Sequence, residues 1–188
     1  MIEFIQLHKT YYIFWLPFFN IQVITQREQV TKYLSKSKNN IAYIGADIEI
    51  AQSLNFEKIN PTAVIDYYHF HRAYKTPYEQ ACIRQANIIA IKGHNAAREM
   101  FLAKQSEFAI QQAYLQAILH NESQTPYQNI IALNEHAAIL HYGQFATQKP
   151  DKHHSFLIDA GAKYNGYCAD ISRTYSAEND AFADIIKA

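Results

Sequence analysis

The sequence lacks the features that mark several common classes of protein. It has only two cysteines among 188 residues, and its 17 basic and 17 acidic side chains cancel. Cys82 and Cys168 have no C-x-x-C spacing, which excludes a disulfide framework and a thiolate zinc site, and we interpret both as core-filling thiols. Without a net charge, the chain has no general attraction for nucleic acid or for an anionic membrane. We therefore expect a cytoplasmic location and neither of those partners.

No apolar run is long enough to cross a membrane. The longest, from Tyr11 to Phe19, is interrupted by Pro17, whereas a spanning helix needs about 20 apolar residues. Neither a basic cluster before this run nor a small-residue cleavage site after it marks a signal peptide. Apolar residues nevertheless make up 49% of the chain, with 14 tyrosines and 11 phenylalanines. This composition predicts a globular protein with a sizeable core.

The first 72 residues have the pattern of part of an α/β domain. Residues 11–25 are aromatic and β-branched, which suits strands at a sheet edge. Residues 26–38 carry a weak helical stripe, and residues 40–45 predict a buried strand closed by a glycine. Asn60-Pro61 marks a turn. We place a domain boundary after residue 72.

Two helices are predicted next. Thr76-Pro77-Tyr78-Glu79 combines an N-cap threonine, a proline at the first helical position and a glutamate that completes a capping box. Small and apolar residues then recur at helical spacing to about Lys104. Ser106 predicts the N-cap of a second helix, which ends before Thr125-Pro126 because proline restricts the residue before it.

The remaining residues are rich in strand patterns. Segments 129–133, 138–142, 155–159 and 167–175 are apolar or alternating and are separated by turn residues. Asn165-Gly166 is the dipeptide favoured in tight hairpin turns, so we expect the last two segments to form a hairpin. The fold class is therefore α+β, with residues 73–188 forming two helices and an antiparallel sheet.

That hairpin would bring two carboxylates together. If Asn165 and Gly166 form its turn, Gly161 pairs with Asp170, and Asp159 lies on the same face as Gly161. Asp159 and Asp170 are then diagonal neighbours with Cβ atoms at most roughly 7–8 Å apart. Two anions so placed repel each other unless a cation lies between them or one is protonated. Carboxylate oxygens suit Mn²⁺, Mg²⁺ or Zn²⁺, which makes this pair a candidate metal site.

A simpler interpretation stays open for the same residues. Asp159 also suits a turn at a strand end, Asp170 also suits a solvated sheet face, and their spacing alone favours this interpretation. His141 shifts the balance toward the metal site, because it follows the apolar segment 138–140 and could turn toward the same face as the two aspartates. A lone histidine on an apolar strand is more often a core residue. His69-x-His71 and His153-His154 are also candidate imidazole pairs, and we interpret them as surface residues.

Three longer segments carry a resemblance to a known family. They are Asn134-Glu135-His136-Ala137-Ala138-Ile139-Leu140-His141-Tyr142, Phe156-Leu157-Ile158-Asp159-Ala160-Gly161-Ala162-Lys163-Tyr164-Asn165-Gly166-Tyr167 and Ala169-Asp170-Ile171-Ser172-Arg173-Thr174. Together they resemble the first half of the catalytic domain of the Xaa-Pro dipeptidases (prolidases), metallopeptidases with the pita-bread fold, and the bacterial form above all. The stretches from Asn60 to Tyr67 and from Lys75 to Glu79 resemble it too. The similarity is strong from about Ile41 onward.

The resemblance implies a site and a reaction. Dipeptides with a C-terminal proline would be hydrolysed by a hydroxide that bridges two divalent ions, most often Mn²⁺, with Co²⁺ and Zn²⁺ as alternatives. By the motif match, Asp159 and Asp170 are the first two metal ligands. His141 matches the histidine that contacts substrate and helps to move protons, and Tyr127 matches a tyrosine of the substrate pocket. The resemblance also makes a homodimer a candidate assembly.

The sequence also departs from the family pattern. The family's other three ligands, one histidine and two glutamates, have no counterpart in a matching context here. We therefore expect weak metal binding and little or no peptidase activity from this polypeptide alone. The alternative hypothesis is a non-enzymatic part of a pita-bread fold that acts as a protein-interaction module.

Overall fold

A computed structural model describes residues 41–178 and 181–187, together with the isolated positions Pro17, Gln26 and Gln29. The predicted strands at 11–25 and the predicted helix at 26–38 otherwise lie outside the described residues. The chain divides into two compact units, residues 1–74 and residues 75–188. Within the described residues, no helix has the length and apolar character needed to cross a bilayer.

The described part of the first unit is a small α/β arrangement. Two short parallel strands pair with the register Ala42↔Lys58 and Tyr43↔Ile59. At Asn60, where a turn is predicted, the chain bends with φ +49°. The Asn60 side chain accepts from the amide of Gly45 and donates to the carbonyl of Gly45, both at 2.9 Å. The elements are β1 (Ala42–Tyr43), α1 (Ile48–Ser53), β2 (Lys58–Ile59) and α2 (Thr62–Ala73).

Helix α2 contains the first histidine pair. His69 and His71 are both exposed, as predicted, and in this helix residues two apart point in different directions. The His71 ring instead packs against Tyr67, with ring centroids 4.1 Å apart. This pair therefore does not form a joint imidazole site.

The second unit begins with the two predicted helices. Helix α3 (Pro77–Leu102) starts at the predicted capping box: the Thr76 hydroxyl accepts from the Glu79 amide, and the Thr76 amide donates to Glu79 Oε2 at 2.7 Å. The hydrogen bond from the Thr76 backbone amide is the largest cause that lowers the pKa of the Glu79 carboxyl. Helix α4 (Glu107–Ile118) is capped by Ser106, as predicted, and it ends at Leu119 in the left-handed conformation.

An antiparallel sheet and a small hairpin follow. The strands are β3 (Ile130–Leu133), β4 (Ser155–Ala160), β5 (Lys163–Tyr164), β6 (Tyr167–Cys168) and β7 (Ile171–Ser176), followed by helix α5 (Ala181–Lys187). The three-stranded sheet has the order β3-β4-β7, and β5 and β6 form the hairpin. Apolar residues of α3 and α4 pack with one face of the three-stranded sheet into a single core that includes Phe101, Tyr114, Ile131 and Phe156.

The predicted hairpin register is confirmed. Lys163 pairs with Cys168 and Tyr164 with Tyr167 around the Asn165-Gly166 turn. The same alignment continues into the main sheet, where Asp159 lies opposite Ser172. Both turn residues have positive φ, +48° and +82°, which the two central positions of a type I′ turn require.

Several local predictions are wrong. The strand expected at 138–142 is absent: residues Asn134–Ala138 form a 3₁₀ helix, and His141 follows at φ +53°. Cys82 is buried as expected, but Cys168 is exposed. His153 is not a surface residue, because it is buried and its Nε2 lies 2.9 Å from the carbonyl oxygen of Gln105. His154 is exposed, as predicted.

Candidate metal centre

Asp159 is the penultimate residue of β4, and the strand alternation determines its direction. Ile158 and Ala160, on either side of it, are fully buried in the core against the helices. Because successive side chains of a strand point to opposite faces, Asp159 points away from the helices. Its neighbours across the sheet are Ile130 on β3 and Ser172 on β7. The carboxylate is therefore on the face of the sheet opposite the core.

Asp170 lies between β6 and β7, at the continuation of the hairpin register. Opposite it is Gly161, where the chain passes from β4 to β5. A Cβ atom at Gly161 would collide with the backbone carbonyl of Ala169, so only glycine permits this close approach. The close approach brings the Asp170 segment against the end of β4. Glycine at this position is therefore part of how the two carboxylates meet.

The two carboxylates converge on one phenolic oxygen. Tyr127 Oη lies 2.8 Å from Asp159 Oδ1 and 2.7 Å from Asp170 Oδ1. A phenol carries a single proton, so it donates to only one carboxylate at a time. The second short contact therefore needs another proton or a cation between the carboxylates. Asp159, Asp170 and Tyr127 therefore form one hydrogen-bonded cluster on the face of the sheet opposite the core.

The environment keeps the Tyr127 hydroxyl protonated. Burial raises its pKa far above the ordinary value, and the hydrogen bonds to Asp170 and Asp159 and the charges of both carboxylates raise it further. A phenolate beside two carboxylates would add a third negative charge to the same small volume. Tyr127 is consequently a hydrogen-bond donor in this site and not a base.

A buried histidine supports the end of β4 from the core side. His94 of α3 is only 4% exposed, and its Nε2 lies 3.1 Å from the carbonyl oxygen of Ala160, next to Asp159 in the chain. Burial lowers the pKa of His94, with a further lowering by Arg173 and opposing contributions from the Ala160 carbonyl and Asp159. A neutral imidazole with Nε2 protonated is the form that donates to Ala160.

His141 is not part of the carboxylate cluster. It lies in a turn between Leu140, which is 85% exposed, and the buried Tyr142. Its own side chain is exposed, and no hydrogen bond is found to its imidazole within the described residues. Among all the residues that the structure describes, no group of three or more histidine, cysteine, aspartate or glutamate side chains has metal-binding geometry. The structure thus brings together Asp159, Asp170 and Tyr127 only.

The donor set fits a divalent cation. Carboxylate oxygens are the ligands that Mn²⁺ and Mg²⁺ prefer, and Zn²⁺ accepts them as well. A cation between Asp159 and Asp170 would remove the repulsion that the single Tyr127 proton leaves uncompensated. Asp159 reaches this position from the end of β4, and Asp170 reaches it from the residue immediately before β7.

Comparison with known proteins identifies the family of this chain. The profile of metallopeptidase family M24 matches residues 81–188, which include both aspartates and Tyr127. The chain belongs to this family. A second profile, described as the N-terminal domain of Xaa-Pro dipeptidase, matches residues 7–70. The M24 match confirms the resemblance predicted from the motifs.

Relatives with close sequence similarity have the same description. An Xaa-Pro dipeptidase of Colwellia psychrerythraea is 51% identical over 173 residues, covering 92% of this chain and 39% of that protein. An Xaa-Pro dipeptidase of Pseudoalteromonas translucida is 52% identical over 176 residues, covering 93% and 40% respectively. The chain thus spans about 40% of the length of these relatives.

Solved structures confirm the predicted fold class. An X-Pro aminopeptidase from Thermotoga maritima superposes with a TM-score of 0.66 at 20% identity, over 85% of this chain and 46% of that one. Aminopeptidase P from E. coli superposes with a TM-score of 0.64 at 22% identity, over 80% and 38%. This M24 chain therefore has part of the pita-bread fold, and its class is α+β.

Sequence reasoning missed a buried carboxylate in the core, in addition to His94. Glu107 is 1% exposed and accepts four hydrogen bonds, yet the sequence suggests only an acidic residue in the first turn of a helix. A signal was available: Glu107 shares the helical face of Ile110, Gln111 and Tyr114, the buried stripe of α4. A carboxylate on such a stripe needs several donors, because an unpaired buried charge is very costly.

Proposed function

We propose that this chain supplies the first two ligands of the metal centre of an Xaa-Pro dipeptidase, an enzyme that hydrolyses dipeptides ending in proline. The observation that carries the proposal is the convergence of the Asp159 and Asp170 carboxylates on Tyr127 Oη. Family M24 membership and the roughly 50% identity to Xaa-Pro dipeptidases support this choice of reaction and of substrate.

Asp159 and Asp170 would hold the metal through their carboxylate oxygens. Mn²⁺ is the ion we propose, with Co²⁺ and Zn²⁺ as alternatives that the same oxygen donors accept. When bound, such an ion acts as a Lewis acid toward the peptide carbonyl, generates a nucleophile from water and orients the substrate. These are the contributions that peptide hydrolysis needs and that two carboxylates cannot make by themselves.

The neighbouring side chains have separate tasks. Tyr127 keeps the two carboxylates together by donating its proton to one of them, and its raised pKa prevents it from removing a proton from substrate. We assign contact with the substrate to His141, whose side chain is exposed. His94 would maintain the position of Asp159 through the Ala160 carbonyl.

Charge counting predicts that the 188-residue polypeptide binds its metal weakly by itself. Two divalent ions bring four positive charges, while Asp159 and Asp170 return two negative ones. Within the described residues, no third histidine, cysteine or carboxylate joins them. We therefore propose little or no turnover of an Xaa-Pro dipeptide by this polypeptide alone.

A metal titration with matched variants tests the proposal. We expect isothermal titration with Mn²⁺ to show weak binding to the 188-residue chain and none to Asp159→Asn or Asp170→Asn. Asp151→Asn removes the same charge from an exposed aspartate and should bind like the parent chain. Binding that is unaffected at Asp159 and Asp170 would refute the ligand assignment. A tight two-ion site, or measurable turnover, would refute the charge argument.

The proposal has two further parts, which concern the location of the protein and an alternative function. A cytoplasmic location is supported by the absence of a disulfide between Cys82 and Cys168, both of which are free thiols. The alternative function, a non-catalytic interaction module, gains nothing from the carboxylate pair, because a binding surface has no need of two converging like charges.

A further inference from the structure

One buried carboxylate binds both ends of the segment that carries His141. We define the His141 loop as residues 134–146, between β3 and β4. Glu107, at the first position of α4, directs both of its oxygens toward this loop. Glu107 Oε1 accepts from the amide of Leu133 and lies 2.8 Å from His136 Nδ1. Glu107 Oε2 accepts from the hydroxyl of Tyr142 at 2.8 Å and from the amide of Ala146 at 2.9 Å.

These four contacts close the base of the loop. Leu133 immediately precedes it and Ala146 ends it, so a single side chain binds both ends. Between them, the rings of His136 and Tyr142 stack with centroids 4.6 Å apart and an interplanar angle of 24°. Hydrogen bonds to a charged acceptor are shorter and stronger than neutral ones, so this base is well defined in position and direction.

The tip of the loop has fewer contacts than its base. Ile139 is 53% exposed and Leu140 is 85% exposed, and no hydrogen bond to the imidazole of His141 is found within the described residues. The backbone amide of Tyr142 donates to the carbonyl of Ile139, which closes the turn, and Gln128 Nε2 donates to the carbonyl of Gly143 at 2.9 Å. The direction in which His141 points therefore depends mainly on the base of the loop, where Glu107 binds both ends.

We propose that Glu107 is a positioning residue, which presents His141 to the substrate of the Asp159 and Asp170 metal site by anchoring both ends of the His141 loop. The inference rests on the proposed function of His141. Four donors satisfy the four acceptor sites of a carboxylate, so the carboxylate is both strongly held and hard to replace. Glu107→Gln is the most informative substitution, because the NH₂ group of glutamine would face the donating amide of Ala146 or of Leu133. Two donors cannot form a hydrogen bond with each other.

Two measurements on the 188-residue chain test this role without an activity assay. The first is amide hydrogen exchange in the parent, in Glu107→Gln and in the control Glu135→Gln, which removes an exposed carboxylate from the same loop. In Glu107→Gln, we expect residues 134–146 to exchange roughly ten- to hundredfold faster, as the loss of a charge-assisted hydrogen bond implies, while β4 and β7 keep their protection. Glu135→Gln should exchange like the parent.

The second measurement is the broadening of the His141 imidazole NMR signals by Mn²⁺. We expect broadening in the parent and in Glu135→Gln, and weaker broadening in Glu107→Gln at equal occupancy by the ion. Broadening and loop exchange that are unchanged in Glu107→Gln would overturn the inference. Loss of protection in β4 and β7 together with the loop would also overturn it, because Glu107 would then stabilise the whole unit.

A third outcome separates this inference from the proposed function. If Mn²⁺ binds but the parent shows no broadening of His141, the place of His141 beside the metal is wrong, and the inference fails with it. In that case the exchange data still report whether Glu107 anchors the loop. The two failures are thus distinguishable in the same set of samples.

Discussion

Asp159 and Asp170 share a single hydrogen-bond partner, the Tyr127 hydroxyl, at 2.8 and 2.7 Å. One aspartate ends a strand of the main sheet and the other follows the small hairpin, so the contact connects two parts of the backbone. The shared proton satisfies one carboxylate and leaves the other facing a like charge. This imbalance is the physical reason to expect a cation here.

Removal of the shared donor should be measurable without metal. Tyr127→Phe leaves both carboxylates without their common proton, so we expect the free energy of unfolding in urea to fall by about 1–3 kcal/mol. Tyr164→Phe removes the hydroxyl of an exposed tyrosine with no hydrogen bond to that hydroxyl in the described part of the chain. Equal stability losses in the two variants would show that the Tyr127 contacts contribute nothing.

Tyr142 predicts a loss of stability in alkali. Burial, the hydrogen bond to Glu107 and the charge of Glu107 raise the pKa of Tyr142 from 10.0 to about 12. Its contribution is therefore complete below pH 10 and is lost as the pH rises from 10 toward 12. The difference in unfolding free energy between the parent and Tyr142→Phe should shrink over that interval. Parallel pH profiles for the two proteins would contradict the assignment.

His94 predicts a loss of stability in acid. Its folded pKa is lowered from the ordinary 6.5, chiefly by burial, so the folded state favours the neutral ring. The unfolded chain takes up this proton first, and the contribution of His94 is complete above pH 6.5 and is lost as the pH falls below it. In His94→Gln, which does not titrate, this part of the acid dependence should disappear. Identical slopes below pH 6.5 would show that His94 takes up its proton as readily in the folded as in the unfolded chain, so that folding does not lower its pKa.

Gly161 and Gly166 predict two different effects of alanine. Gly161→Ala would force the end of β4 away from the Ala169 carbonyl, so we expect a stability loss of about 1–3 kcal/mol together with weaker Mn²⁺ binding. Gly166 has open space around it but a φ of +82°, so Gly166→Ala should cost about 1–2 kcal/mol and leave Mn²⁺ binding unchanged. If Gly161→Ala binds Mn²⁺ like the parent, the close approach at Gly161 does not determine the carboxylate geometry.

Local chemistry explains the parts of this fold that the sequence predicts correctly. The Thr76 capping box, the Ser106 cap and the Asn165-Gly166 turn each depend on contacts between residues close in the chain. The turn fixes the register, and the register puts Asp159 and Asp170 on one face. The hairpin geometry of the candidate site can therefore be predicted from a few adjacent residues.

Long-range contacts explain the errors. The apolar segment 138–140 has a strand composition, but Glu107 binds its flanks, and residues 134–138 form a 3₁₀ helix followed by a left-handed residue at His141. The shared contact of Tyr127 with both aspartates likewise depends on how the segment before β3 crosses the hairpin. No local pattern encodes either arrangement.

The central claim is that Asp159 and Asp170 hold one metal ion between them. Crystals of the 188-residue chain grown with Mn²⁺ test it most directly, through the anomalous scattering of the ion. We predict an anomalous peak within coordination distance of the carboxylate oxygens of both aspartates. We predict no such peak in crystals of Asp170→Asn. A peak at other side chains, or none while both carboxylates remain on Tyr127 Oη, would contradict the account.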